Sequence, residues 1–264
     1  RRDAPHRGSG GSPGTPPGGL GGRDRGRGAG VVGRALAGNG GWRTSPGMGE
    51  LLACYGIPVV ETRIADSPSD AGREAKVLGM PVALKAIVPG LLHKSDAGAV
   101  RLDLTGEAAV KRAAEEMSAS LEQAGHQVVG FEVQPIAPRG VEMLVGVVQD
   151  EHFGPVLACG AGGTATELLK DVAVRITPIT RGEASRMVRS LKTFPLLDGY
   201  RGAPRTDVGA LENVLLRVRA LVEAHPEVVE MDLNPLIVHP KGVVAVDARI
   251  RLEAGSPRRP LDSR

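Results

Sequence analysis

The sequence predicts an α/β (α+β) fold of two lobes, on three observations. Residues 58–127 alternate short apolar strands with capped, amphipathic helices. From Val128 the texture turns strand-rich, with runs at 128–134, 141–148, 155–159 and 172–176 separated by Pro and Gly. The chain has 264 residues, of which 41% are hydrophobic and only 2% aromatic. That allows one or two domains around an aliphatic core. The expected organisation is a disordered Gly/Arg/Pro-rich tail or linker over 1–45, a folded unit over 46–253 and a flexible tail over 254–264. Within the unit the small lobe spans about 58–127, and the large lobe about 46–57 and 128–253.

Each element follows in order. Residues 1–45 hold 15 of the 37 glycines and almost no aliphatic side chain before Val31, too little to offset the ordering entropy. Pro46 to Tyr55 reads as a short helix with Leu51, Leu52 and Tyr55 on one side, stopped by Gly56 before a strand over Ile57 to Thr62. Ser67 caps a helix with Pro68 in its first turn, ending at Gly79. Val82 to Ala86 is a buried strand carrying Lys85. A helix over about Glu107 to Ala124 places Val110, Ala113, Met117 and Leu121 on one stripe. Thr180-x-x-Glu183 is a capping box, and Asp207 caps a helix bearing Leu211, Val214, Leu215, Val218, Leu221 and Val222. The chain closes with a hairpin over about 230 to 250.

The formal charge of +3 has to be divided along the chain. Residues 1–45 carry +6 and residues 254–264 carry +2, which leaves −5 for 46–253. The basic character belongs to the tails. The GGRDRGRG run (21–28) resembles an arginine-glycine tail yet lacks the aromatic residues that stack on bases, so a nucleic-acid partner is not expected. There is no apolar run of about 18 residues and no apolar signal core, so no membrane partner is expected and the cytoplasm is the expected compartment. Cys54 and Cys159 each sit in an apolar run and read as buried thiols rather than a disulfide.

Two stretches carry candidate chemistry. In PVALKAIVPGLLHKSDAGAV (81–100), Lys85 leaves a strand beside a polar loop bearing His93, Lys94, Ser95 and Asp96. A lysine plus loop N–H groups suits phosphate oxygens, although a lysine ending a strand is ordinarily solvated and a loop histidine is ordinarily only a soluble side chain. In the C-terminal hairpin, a tip at Pro240-Lys241 sets His239 opposite Gly242 and Asn234 opposite Asp247. Opposed side chains on one face stand about 4.5–5.5 Å apart at Cβ, close enough for an amide oxygen and a carboxylate to share a hard cation such as Mg²⁺. Asp232 lies on the same face, and a solvated edge hairpin is the plain alternative. The run Cys159 to Thr164 resembles a phosphate loop but has no diagnostic glycine spacing. Glu167, Asp171 and Arg175 step by four, which also describes a surface ion-pair stripe.

These stretches, with VQPIAPRGVEMLVGV (133–147), FGPVLACGAGGTATELLKDVAVRITP (153–178), DGYRG (198–202) and EMDLNPLIVHPKGVVAVDARI (230–250), stand in an order that closely resembles the ATP-grasp portion of ADP-forming acyl-CoA (acetyl-CoA) synthetases. That portion is equivalent to their beta subunit and is related to the succinyl-CoA synthetase beta subunit. The resemblance runs from about Met48 to Leu252. It implies an ATP-grasp fold whose lobes clamp Mg-ATP or Mg-ADP, with Lys85, Glu142, Glu167 and Arg175 near the nucleotide and backbone groups of Val133 and Gln134 at the adenine edge. It implies Mg²⁺ on Asn234, Asp247 and Asp232, and His93 as a phosphoryl carrier oriented by Asp96. Ala99 departs from the family's D-x-G-G. The implied reaction is acyl-CoA + ADP + phosphate ⇌ acid + CoA + ATP. Its acyl and CoA chemistry belongs to CoA-binding and ligase domains or an alpha subunit, in cis or in trans. The alternative is a nucleotide-sensing or scaffold domain without turnover.

Overall fold

The computed structural model describes residues 22–38, 40–79, 81–91, 97–163 and 170–255. Two antiparallel sheets organise them. The larger has the order β1 (Gly41–Thr44), β11 (Ala248–Leu252), β9 (Val228–His239), β6 (Val141–Asp150), β7 (Gly154–Ala161), β8 (Val172–Ile176), with β10 (Gly242–Ala245) also paired to β9. The smaller runs β2 (Arg63–Ala65), β5 (Gly130–Pro135), β3 (Val82–Ile87), β4 (Val100–Leu104). Each sheet has its own aliphatic core. Val82, Leu84 and Ala86 of β3 and Phe131 and Val133 of β5 pack against α3 (Pro68–Leu78) and α4 (Glu107–Gln123). Met143, Val145 and Val147 of β6 and Leu157 and Cys159 of β7 pack with α2 (Ser45–Cys54), α5 (Arg181–Arg189) and α7 (Val208–Ala224).

The local signals act as their chemistry dictates. Ser67 Oγ accepts from Asp70 N, and α3 ends on Gly79 in the left-handed region. The capping box at Thr180 and Glu183 is complete in both directions, and Asp207 accepts from Ala210 N at the start of α7. The short α6 (Phe194–Leu197) and a 3-10 turn over Tyr200–Gly202 join α5 to α7.

Three expectations are corrected. The stretch expected to be disordered over 1–45 includes a helix, α1 (Gly22–Ala37), and strand β1. Val31 and Val32 of α1 are buried in the large core. Gly28 lets the helix approach closely: a Cβ there would stand 3.0 Å from His225 Nε2. Glycines disfavour an isolated helix by about 1 kcal/mol each, so tertiary packing holds α1, and β1 is held by pairing with Arg249–Leu252. The small lobe does not end at 127, because β5 pairs with β2 and β3. The crossing between sheets falls at 136–140. The expected strand over 57–62 reduces to one bridge, Val59 with Ala245, in which Ala245 N donates to Pro58 O and Val60 N to Ala245 O, each at 2.9 Å. Residues 254 and 255 are described, whereas the rest of the expected C-terminal tail lies outside the described residues.

The face of the large sheet opposite its helices positions the site. Register sets Leu144, Gly160 and Val172 side by side, then Gly146, Ala158 and Val174, then Val148, Val156 and Ile176. This grid carries no charge. The next strand along, β9, presents Glu230 and Asp232, and beyond it β11 presents Arg251 and Arg249.

Candidate functional site

The C-terminal hairpin has the register expected of it. Gly242 pairs with His239 and Ala245 with Leu236, and beyond the break between β10 and β11 Ala248 pairs with Leu233 and Arg249 with Asp232. Val246 N donates to Pro235 O at 2.9 Å. Asn234 and Asp247 therefore stand opposite one another where β10 gives way to β11. Asn234 Oδ1 accepts from Gly163 N at 3.2 Å and Asp247 Oδ1 from Ala248 N at 3.0 Å. Burial pushes the Asp232 carboxyl up to about 6, Arg249 opposes the shift, and the like charges of Asp247 and Glu230 add to it.

Glu142 joins this group from β6. Its carbonyl accepts from Gly162 N at 2.9 Å, and its carboxylate lies over Gly163, where a Cβ would collide with Oε2. Gly163 has φ +61, a conformation that favours glycine. The glycine run is thus a set of close approaches: a Cβ at Gly160 would meet Asp171 O at 2.6 Å, and one at Gly162 would run into the Met143 backbone. Gly163 ties Glu142 to Asn234.

The oxygen donors present fit a hard divalent cation. Asn234, Asp232 and Asp247 offer oxygen, and a cation there would offset both the burial that chiefly raises the Asp232 carboxyl and the lesser like-charge contribution of Asp247 and Glu230. Among the described residues no three His, Cys, Asp or Glu side chains form a metal cage by themselves. Two carboxylates and an amide oxygen suit Mg²⁺, which takes one or two carboxylates and completes its shell with water and phosphate oxygens.

In the small sheet, Lys85 stands directly across from Glu132, and Ala83 across from Gln134. Leu84, Phe131 and Val133 point into the small core, so by alternation Lys85, Glu132 and Gln134 share the other face. All three are buried. Gln134 Nε2 donates to Val246 O at 3.3 Å, beside Asp247, so this face meets the hairpin. Glu132 is the member that sequence reasoning missed; an acid inside FEVQP gives no sign of its partner until register is known. Val133, expected to act through its backbone, has its strand paired on both sides, to β2 and to β3, and its side chain in the small core. The free connection begins only after Ile136, whose N–H still pairs with Pro81 O.

Arg175 is not brought to this group. It lies on β8, three strands from β9, about 14 Å at ordinary strand spacing. It pairs with Leu157, on the face that packs against helices, and its guanidinium donates to Val174 O at 2.7 Å. Asp171 has a structural task. Burial alone would raise its carboxyl, yet hydrogen bonds from Thr193 Oγ1 (2.7 Å), Thr193 N (2.8 Å) and Lys192 N (3.0 Å) outweigh that and hold it below the usual range. His93, Asp96 and Glu167 lie outside the described residues. The strands flanking His93 are fixed at both ends: Ala86 N donates to Ala99 O at 2.9 Å, Val100 pairs with Lys85, and Ala99 is buried in the small core. Cys54 and Cys159 are buried and are not joined in a disulfide, and burial pushes the Cys159 thiol up to about 12. Among the described residues no helix is long and apolar enough to cross a membrane.

Residues 34–252 match the ATP-grasp domain family. The chain is 42% identical over 204 residues to the ADP-forming acetate–CoA ligase I of Archaeoglobus fulgidus, covering 76% of this chain and 30% of that protein. It is 38% identical over 209 residues to the beta subunit of the ADP-forming acetate–CoA ligase II of Pyrococcus furiosus, covering 77% of this chain and 89% of that subunit. The dinucleotide-forming acetyl-coenzyme A synthetase 1 of Ca. Korarchaeum cryptofilum, solved with coenzyme A, Ca-AMPCP and HgCl⁺, is similar with a TM-score of 0.79 and 35% identity, over 84% of this chain and 98% of the solved one. A second structure of that synthetase, with coenzyme A and Mg-AMPPCP and its phosphohistidine segment pointing towards the nucleotide site, gives a TM-score of 0.74 and 33% identity, over 86% of this chain and 100% of the solved one. The chain spans less than a third of the Archaeoglobus protein and most of the Pyrococcus subunit.

Proposed function

Because the chain belongs to the ATP-grasp family, we propose that it is the nucleotide module of an ADP-forming acyl-CoA synthetase, passing a phosphoryl group between ADP and His93. The observation that carries this reading is the meeting of the face bearing Lys85, Glu132 and Gln134 with the oxygen set of Asn234, Asp232 and Asp247. Lys85 supplies positive charge to phosphate oxygens from a rigid strand, and Gly163 and Glu142 shape the floor beside Asn234. Bound there, Mg²⁺ would neutralise charge on the phosphate oxygens. In the ATP-forming direction an oxygen of the ADP β-phosphate attacks the phosphorus of phosphohistidine. The N–P bond breaks, its electron pair returns to the imidazole, and the ring nitrogen takes up a proton. Asp96 holds the ring for this exchange.

The partner is a CoA-binding and ligase portion, joined in one polypeptide or as a separate subunit, that loads His93 from acyl-CoA and phosphate. The relatives support this, since one is a single protein about three times as long as the matched region and another is a subunit. The acyl substrate is bound mainly by that partner, and the expected compartment is the cytoplasm.

The test needs only this chain. Mg-ADP at a hundredfold excess over Kd should stabilise it by about 2.7 kcal/mol, and Asp247→Ala should diminish that shift in Mg²⁺ while changing little without it. Mg-ATP labelled in the γ-phosphate should leave an acid-labile, base-stable label that disappears in His93→Asn while the Mg-ADP shift persists. Label that survives His93→Asn refutes the carrier assignment, and nucleotide binding with no label at all favours a sensor.

A further inference from the structure

Strand β8 ends the large sheet on its side, and among the described residues no strand lies beyond it. Its inner edge is bonded at odd-numbered positions. Ala161 N donates to Asp171 O at 3.1 Å and Thr177 N to Pro155 O at 2.9 Å, in a register that pairs Cys159 with Ala173 and Leu157 with Arg175. Successive residues of a strand turn their backbone groups to opposite sides, so the N–H and C=O of Val172, Val174 and Ile176 point outward. The side chains of the same three residues stand on the uncharged face of the sheet and are 42%, 49% and 50% exposed. One row of residues thus offers open backbone groups and open apolar surface together.

Natural sheets blunt such an edge with lysine, proline or a bulge. β8 holds no lysine or proline and its register is unbroken. Its one charge, Arg175, donates to Val174 O at 2.7 Å and leaves that carbonyl a second lone pair. The strand is also its own complement. A twofold axis perpendicular to the sheet, placed beside Val174, sets Val174 against Val174, Val172 against Ile176 and Ala173 against Arg175 of a second copy. Every outward N–H then meets an outward carbonyl. On the apolar face only valine and isoleucine come together. On the other face each arginine opposes an alanine, and the two arginines are diagonal neighbours about 7–8 Å apart, so no like charges stand directly opposed.

We propose that β8 is a self-pairing edge through which two copies of this chain join their large sheets into one, antiparallel about Val174. Each copy has one such edge, so the pair closes and does not grow. A five-residue strand is only roughly 17 Å long, and its pairing falls short of the roughly 1,200–2,000 Å² buried in a standard complex. The dimer is therefore weak and reversible. The inference does not depend on the nucleotide reading above.

The test is sedimentation velocity of the chain across a concentration series, with backbone hydrogen exchange at its two ends. The sedimentation coefficient should climb from monomer towards dimer with a Kd on the order of 10–100 μM, and exchange at the N–H groups of Val172, Val174 and Ile176 should slow as concentration rises. Val174→Pro removes the donor at the axis; that N–H points outward, where an edge strand tolerates proline, so the variant should keep its fold and stay monomeric. Should it fail to fold, Val174→Lys sets like charges against each other at the axis and should weaken the dimer about tenfold or more. A wild type that stays monomeric up to about ten times that Kd overturns the proposal. So does a dimer that forms without slowed exchange at these three groups, or one that keeps wild-type strength in Val174→Lys, for then the copies meet elsewhere.

Discussion

Gly163→Ala tests the geometry of the site at its narrowest point. The glycine has φ +61, where a side-chain-bearing residue costs about 1–2 kcal/mol. A methyl group would also occupy the place of Glu142 Oε2, so the carboxylate must swing away. Any backbone shift that relieves the strain loosens the bond from Gly163 N to Asn234 Oδ1, worth about 0.5–1.5 kcal/mol. The total is about 2–3 kcal/mol if the carboxylate moves freely. A domain of about 150–250 residues loses roughly 2–4 °C per kcal/mol, so the midpoint should fall by roughly 4–12 °C. The assay is a thermal melt with and without Mg-ADP, because strain lowers the midpoint in both conditions whereas displacement of Glu142 and Asn234 also shrinks the ligand-induced rise. An alanine variant with an unchanged midpoint and an unchanged Mg-ADP rise would refute the account of Gly163 as the tie between Glu142 and Asn234.

The remaining predictions concern pH and a buried acid. Burial holds His225 below its usual range against the opposing pull of Glu227, so the unfolded chain binds the extra proton first; stability should be full above about pH 6.5 and fall as pH drops through the lower folded value. Asp232 acts in the opposite sense, its contribution being lost as pH rises through about 6, so the comparison that isolates the histidine is wild type against His225→Gln in metal-free melts between about pH 5 and 7.5; equal acid sensitivity would count against it. Asp171→Ala should cost about 2–4 kcal/mol, because it strips an acceptor from Lys192 N, Thr193 N and Thr193 Oγ1 in a buried place, and Asp171→Asn should lose less. Denaturant titration measures both, and an alanine variant as stable as wild type would show that water replaces the carboxylate.

What could be read in the sequence was whatever is decided by near neighbours. The cap at Ser67, the capping box at Thr180 and the hairpin register depend on residues within a few positions, and each forms as its chemistry requires. Pairings between distant segments are another matter. Gly41–Thr44 becomes a strand only because Arg249–Leu252 offers it an edge, and β4, whose VRLDL alternates apolar and charged residues, does not bury that pattern, with Leu102 exposed and Asp103 at φ +57. The same holds at the site. The opposition of Asn234 and Asp247 follows from one turn, so counting along the hairpin finds it. Glu132 acquires meaning only when β5 settles between β2 and β3 and sets it across from Lys85. Gln134 meets the hairpin only because its amide reaches a threonine far behind it in the chain and a carbonyl far ahead. Spacing can nominate a residue for a nucleotide site, but what its side chain touches is decided by segments that spacing does not see.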